Sequence, residues 1–257
     1  MTARSLRELL TGAIDYAGLF PPAELGMREA VESYARYRAG VYAWMLGRFI
    51  VPAKRLPEFE GHKPDSATWN VSLIGEGAAS RADVIADAVE LRAPPAAPPA
   101  DRVVYVEVAS GADLAPLARA GFRAKLRTGG VAPENFPSPS EVAAFLLDCH
   151  RAGVAFKATA GLHHALRCDS SLGPMHGFLN VLLAAVLVPG GLGAEDTVAL
   201  LEDRDPAGFR FDEDAAVWRG CRAATGEIAE ARRNFAISFG SCSFEEPVEE
   251  LGQLGWL

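Results

Sequence analysis

Two stretches of this chain hold the residue types that chemistry on a carbonyl group requires. One is Ala124-Lys125-Leu126-Arg127-Thr128-Gly129-Gly130, the other Phe156-Lys157-Ala158-Thr159-Ala160-Gly161-Leu162-His163-His164. In each, apolar and polar residues alternate as in a strand with two different faces, and glycines follow where the strand would stop. One helix-length segment separates Lys125 from Lys157, so a strand–helix–strand step would set both at similar heights on neighbouring parallel strands. Two amines in one sheltered cavity oppose each other's ionisation. The one left uncharged is a nucleophile toward carbonyl carbon, which is the condition for Schiff-base catalysis. Glu107, one strand before Lys125 and on the same face, is the candidate general acid or base.

Other residues would hold the reactant. Arg127 adds a cation two positions beyond Lys125, and Thr159 follows Lys157 on the same face. Backbone N–H groups of Thr128, Gly129 and Gly130, and of Gly240, Ser241, Cys242 and Ser243, are expected to receive a phosphate or carboxylate. Ser238 shares a strand face with Gly240. Arg210 and Asp212 alternate with Phe209 and Phe211 and are expected inside the same barrel, where they can also pair with each other. His163, His164, His176 and Asn180 are expected to face the mouth, and Asp15 is a further acidic candidate. The reactant these groups fit is a small anionic molecule.

The two lysine motifs, in this order and spacing, resemble class I aldolases of the deoxyribose-phosphate aldolase type. There a strand ending K-x-x-T-G carries the Schiff-base lysine, and the next strand, V-K-A-x-G-G, carries a lysine that tunes it. The resemblance implies that Lys125 forms the Schiff base and Lys157 tunes it, in a lyase acting on a small phosphorylated or carboxylated carbonyl compound. It covers these motifs only. Arg127, the His163-His164 pair and the long segment 164–206 have no counterpart in it. A second reading is a metal-dependent hydrolase or isomerase using His163, His164 and His176, with Cys168, Asp169 or Cys242 completing a zinc set. No HExxH spacing supports that, and the leading reading needs no metal or other cofactor. A third reading is a non-catalytic barrel in which Lys125, Arg127 and Lys157 clamp an anion.

The elements that must position these residues follow from periodicity. Strands are expected at 16–20, 48–51, 69–74, 103–108, 123–128, 155–159, 209–211 and 235–239. Helices are expected at 5–17, 23–39, 81–92, 114–120, 141–152, 176–188, 194–202, 226–233 and 247–254. Strands alternating with helices favour a parallel sheet. Eight of them in 257 residues favour an α/β fold of the (β/α)8 TIM type, one domain over 1–257, with an N-terminal helix and a long helical insertion between two late strands. No G-x-G-x-x-G or phosphate-loop motif points to an open nucleotide-binding sheet.

Composition is that of a globular chain, 49% hydrophobic and 23% charged. A net charge of −8 argues against nucleic acid and anionic membrane as partners, while a homo-oligomer remains open. The longest apolar run, 178–188, is about half of the roughly 20 residues that span a bilayer. No basic-then-apolar leader precedes it, and Cys149, Cys168, Cys221 and Cys242 form no CxxC pair. The expectation is a reduced, cytoplasmic protein.

Overall fold

The computed structural model describes residues 2–64, 67–81, 86–171 and 173–257. Eight parallel strands close into a barrel. In order around it they are β1 (Ile14–Tyr16), β2 (Leu46–Pro52), β3 (Val71–Ile74), β4 (Ala88–Leu91), β5 (Val103–Glu107), β6 (Arg123–Arg127), β7 (Phe156–Thr159) and β13 (Ala236–Ser241), which pairs back onto β1. Between β7 and β13 the chain adds a hairpin of β8 (Cys168–Ser170) and β9 (Gly173–Met175). It also adds an antiparallel sheet of β10 (Phe209–Phe211), β11 (Ala215–Trp218) and β12 (Cys221–Ala224). The helices are α1 (Arg4–Leu10), α2 (Met27–Ala39), α3 (Leu56–His62), α4 (Ala78–Arg81), α5 (Ala115–Ala120), α6 (Pro139–Ala152), α7 (Phe178–Leu187), α8 (Ala194–Glu202), α9 (Thr225–Asn234) and α10 (Glu245–Gln253). The fold is thus a (β/α)8 TIM-type barrel, with α1 ahead of the first strand and the long insertion between its last two strands. Among the described residues, no helix is long and apolar enough to cross a membrane.

Three expectations about the strands change. The first strand is Ile14–Tyr16, not 16–20, and lies inside the 5–17 segment expected as a helix, which ends at Leu10. Residues 209–211 do form a strand, but outside the barrel. Asp212 accepts hydrogen bonds from the N–H groups of Asp214 and Ala215 and turns the chain tightly, so β10 pairs antiparallel with β11. A local hairpin closes a far shorter loop than insertion between distant barrel strands would. The eighth barrel strand is instead β4, within the 81–92 segment expected as a helix. Residues 82–85 of that segment lie outside the described residues, while Ala88 to Leu91 pairs with β3 on one side and β5 on the other.

Outward faces carry the packing. Phe156 meets Phe145 of α6 edge-on, with ring centroids 5.4 Å apart, and Phe239 stacks on Phe178 of α7 at 5.0 Å. The helix α6 is fixed at both ends, by a capping box between Ser138 and Glu141 and by Gly153 in the left-handed region. Inward faces are polar. The lower end of the interior is filled by Arg48, whose guanidinium pairs with Asp87 at 2.8 Å, and by Tyr105, whose hydroxyl accepts from Arg123 at 3.1 Å. Buried Arg232 of α9 donates to the carbonyls of Ala236, Ile237 and Thr11, tying β13 to the approach to β1.

The loops leaving β6 and β7 touch through their backbones. A Cβ on Gly129 would lie 2.7 Å from Gly161 Cα, and Gly161 has φ +73. These glycines therefore serve close approach rather than ligand contact. Gly129→Ala is expected to cost about 1–3 kcal/mol in urea unfolding through overpacking. Gly161→Ala is expected to cost more, since its left-handed backbone adds roughly 1 kcal/mol.

Candidate active site

In the barrel register, Lys125 of β6 is the direct Cα partner of Lys157 of β7, Glu107 of β5 that of Lys125, and Ser238 of β13 that of Lys157. A side-chain period of two then sends all four side chains inward. Both lysines are buried, with side chains 3% and 1% exposed. The sequence pattern thus placed them correctly, on neighbouring strands at one height.

What lies between them was not anticipated. Glu90 of β4, a fully buried carboxylate, takes Lys157 Nζ at 2.7 Å on one oxygen and Lys125 Nζ at 3.5 Å on the other. Ser72 of β3 donates to Glu90 at 3.0 Å. Asp15 of β1, also buried, takes Lys157 Nζ at 2.5 Å, accepts from the Ser238 hydroxyl at 2.7 Å and from the Arg48 backbone N–H at 2.8 Å. A Cβ at Gly47 would collide with that Asp15 carboxylate, which is why β2 carries no side chain there. On the other side, Lys125 Nζ reaches Glu107 at 3.0 Å, and Glu107 lies 4.0 Å from Arg127. Charges therefore alternate along one line: Asp15, Lys157, Glu90, Lys125, Glu107, Arg127. The line starts in the core and ends at the mouth, where Glu107 is 29% and Arg127 46% exposed.

This arrangement sets the charge of one of the two amines. Burial alone would push the Lys157 ammonium toward its neutral form. The carboxylates of Asp15 and Glu90 outweigh that, and its pKa is raised; the face of Tyr105, 5.4 Å from Nζ, adds to the attraction. Lys157 is thus a fixed buried cation, not a free amine produced by repulsion from Lys125. For Glu90, burial opposes ionisation, but Lys157 and Lys125, with the hydrogen bonds from Lys157 and Ser72, hold its pKa below the ordinary range.

Of the expected substrate contacts, several sit at the mouth. Arg127 donates to the Gly129 carbonyl at 3.3 Å beside Glu107, and Thr159 faces Gly240 across the β7–β13 pair. His163 and His164 follow β7 and bind carboxylates of α10, Glu246 at 3.1 Å and Glu250 at 3.6 Å, with the Cys242 sulfur 3.8 Å from His163. Others do structural work. Buried Thr128 donates to the Ala160 carbonyl at 2.5 Å, and Gly130 faces the Asn135 side chain. Ser238 is spent on Asp15. Ser241 accepts from the Ser243 N–H at 3.3 Å, and Ser243 in turn from the Glu246 N–H at 3.1 Å. Buried His176 donates Nε2–H to the Pro137 carbonyl at 2.7 Å, and burial lowers its pKa. Asn180 gives both amide hydrogens to the carbonyls of Leu200 and Asp203. Arg210 is exposed on β10 and pairs with Asp212 at 3.6 Å, outside the barrel. Among the described residues, no group of three or more His, Cys, Asp and Glu is placed to hold a metal ion, so the three histidines named for one do not assemble into a ligand set.

Comparison of the chain with models of known protein families, and with curated proteins, finds no match.

Losing the charge of Glu90 would leave two buried cations sharing too few partners. Glu90→Gln is expected to cost about 3–5 kcal/mol in urea unfolding, and Glu90→Gln/Lys125→Met to recover part of it. The pH dependence has a defined sign. Glu90, with a lowered folded pKa, contributes stability above its unfolded value of about 4.3 that is lost as pH falls through the folded one. Lys157, with a raised pKa, contributes stability below about 10.4 that is lost as pH rises further. Wild-type stability from these groups should thus be level between these limits. A fall in wild-type stability between about pH 6 and about pH 9 that disappears in Lys157→Met would contradict this.

Proposed function

We propose that this chain is a lyase of the aldolase type that forms a Schiff base between Lys125 and a small anionic carbonyl compound. The observation that carries this reading is the placement of Lys125 Nζ between buried Glu90 and part-exposed Glu107, with a second lysine held as a cation at the same height.

The charges make the chemistry specific to Lys125. Asp15, Glu90, Lys125 and Lys157 form a buried group of two carboxylates and two ammonium groups, which balances. As Lys125 attacks, it gives a proton to Glu107. The carbonyl oxygen leaves as water, and the protonated imine restores one positive charge to the nitrogen. Ammonium plus carbonyl thus gives iminium plus water, and the buried balance is unchanged. In cleavage, the electron pair of the carbon–carbon bond flows into the iminium to give an enamine, and the hydroxyl proton of the departing fragment goes to Glu107. Lys157 is anchored by Asp15 and Glu90, which raise its pKa. It acts as a fixed charge that orients Glu90.

Cyanoborohydride reduction in the presence of small aldehydes and ketones, followed by peptide mass mapping, tests the assignment. The expected adduct is on Lys125, absent in Lys125→Met, and formed about 10²-fold or more slowly in Glu107→Gln. An adduct confined to other lysines, or one undiminished in Lys125→Met, would exclude Lys125 as the nucleophile.

A further inference from the structure

The reading of Lys125 as a Schiff-base nucleophile leaves the anionic group of the substrate unassigned, and two regions of the mouth could receive it. The first is the end of β13, where backbone N–H groups of residues 240–243 precede α10. There Ser241 takes the Ser243 N–H, and Ser243 takes the Glu246 N–H at the start of α10. The first turn of α10 carries Glu245 and Glu246, so the positive end of its dipole faces carboxylates of its own. Glu246 and Glu250 also reach over to the loop after β7, where Glu250 takes the Ala165 N–H at 2.5 Å and both pair with the adjacent histidines. A dianionic phosphate would meet the carboxylates of this acidic side of the mouth.

The second region is the Glu107–Arg127 end of the charge line. Here a carboxylate already bridges the two cations concerned, one oxygen 3.0 Å from Lys125 Nζ and the other 4.0 Å from Arg127 Nε. The first contact is a close ion pair; the second is at the limit of one. The Arg127 guanidinium has as its other contact the Gly129 carbonyl at 3.3 Å, and it is the more exposed member of the pair. Arg127 is thus a planar, part-solvated donor fork two residues beyond the amine on the same strand, of the shape that binds a carboxylate. The Glu107 carboxylate outlines the span that a ligand would fill if it carried a carboxylate next to its carbonyl carbon.

We propose that the substrate is a short 2-oxo acid or an aldol of one, with Arg127 holding the carboxylate while Lys125 attacks the adjacent carbonyl carbon. This rests on the Schiff-base reading and narrows it. The carboxylate takes the Arg127 fork and releases Glu107 to accept the proton from Lys125. The C–N bond forms as the C–O bond is lost to water. A monoanion on Arg127 replaces the weak Glu107 contact, so no cation from the β13 side is needed.

The test uses the full chain and three probes: pyruvate, its neutral isostere pyruvamide of the same size, and the larger, dianionic dihydroxyacetone phosphate. Each is incubated with cyanoborohydride, and the rate of adduct formation on Lys125 is read by mass mapping. Wild type is expected to label with pyruvate faster than with pyruvamide by about tenfold or more, and to label least with the phosphate. In Arg127→Gln the pyruvate-to-pyruvamide ratio should collapse toward one, and Arg127→Lys should hold an intermediate value. Lys125 adducts whose ratio is the same in wild type and Arg127→Gln would overturn the assignment of Arg127 alone, as would preferential labelling by dihydroxyacetone phosphate. No adduct on Lys125 from any probe would overturn the Schiff-base reading and this inference with it.

Discussion

Glu90 brings one negative charge into an interior that already receives two amines, and the geometry of the barrel leaves each of the three few other partners. An unpaired charge at such depth costs several kcal/mol, far more than a surface ion pair returns. The strands must therefore hold a register in which Glu90 meets Lys125 and Lys157 on separate oxygens while Asp15 takes the rest of Lys157. Slipping any of β1, β4, β6 or β7 by one residue would turn its charge outward and leave a partner buried alone. Buried ion pairs of this kind often add no more stability than apolar side chains of similar volume. The four buried charges are thus not a source of stability that an apolar core would lack.

The same constraint divides the labour between the lysines. Both come from strands with similar sequences, and both point the same way. They differ in what surrounds them: Lys157 has two buried carboxylates and an aromatic face, Lys125 has a share of one buried carboxylate and a second that touches solvent. The partner on the open side of Lys125 is part-exposed Glu107, whereas both carboxylate partners of Lys157 are buried. The gradient from core to mouth, and not the spacing of the lysines, separates the surroundings of Lys157 from those of Lys125.

The sequence made the barrel legible because its inward and outward faces differ so sharply at Tyr105 and Glu107, at Lys125 and Arg127, and at Lys157 and Thr159. It hid β4 because Ala88-Val89-Glu90-Leu91 is four residues long and follows a run of good helix formers, so local propensity outweighed a short alternation. Glu90 was missed with it, although the small–large–acid–large pattern of those four residues is that of an inward Ala and Glu between outward Val and Leu. Asp15 was visible only as an acid near a weak strand, since β1 is three residues long. Arg210 and Asp212 went astray for the opposite reason: their alternation is real, but an antiparallel sheet with one solvated face produces the same pattern. His176 and Asn180 looked like mouth residues by spacing, and only packing reveals that backbone carbonyls already claim them.

Much of this account depends on Lys157 being a permanently charged group clamped by Asp15 and Glu90. Nuclear magnetic resonance of the lysine ε-positions, in protein labelled on lysine and followed from about pH 6 to about pH 10, observes that charge directly. The account predicts that the Lys157 signal stays at its ammonium position over the whole range in wild type and begins to titrate within it in Glu90→Gln. A Lys157 signal in the wild-type protein that titrates near neutrality would contradict it.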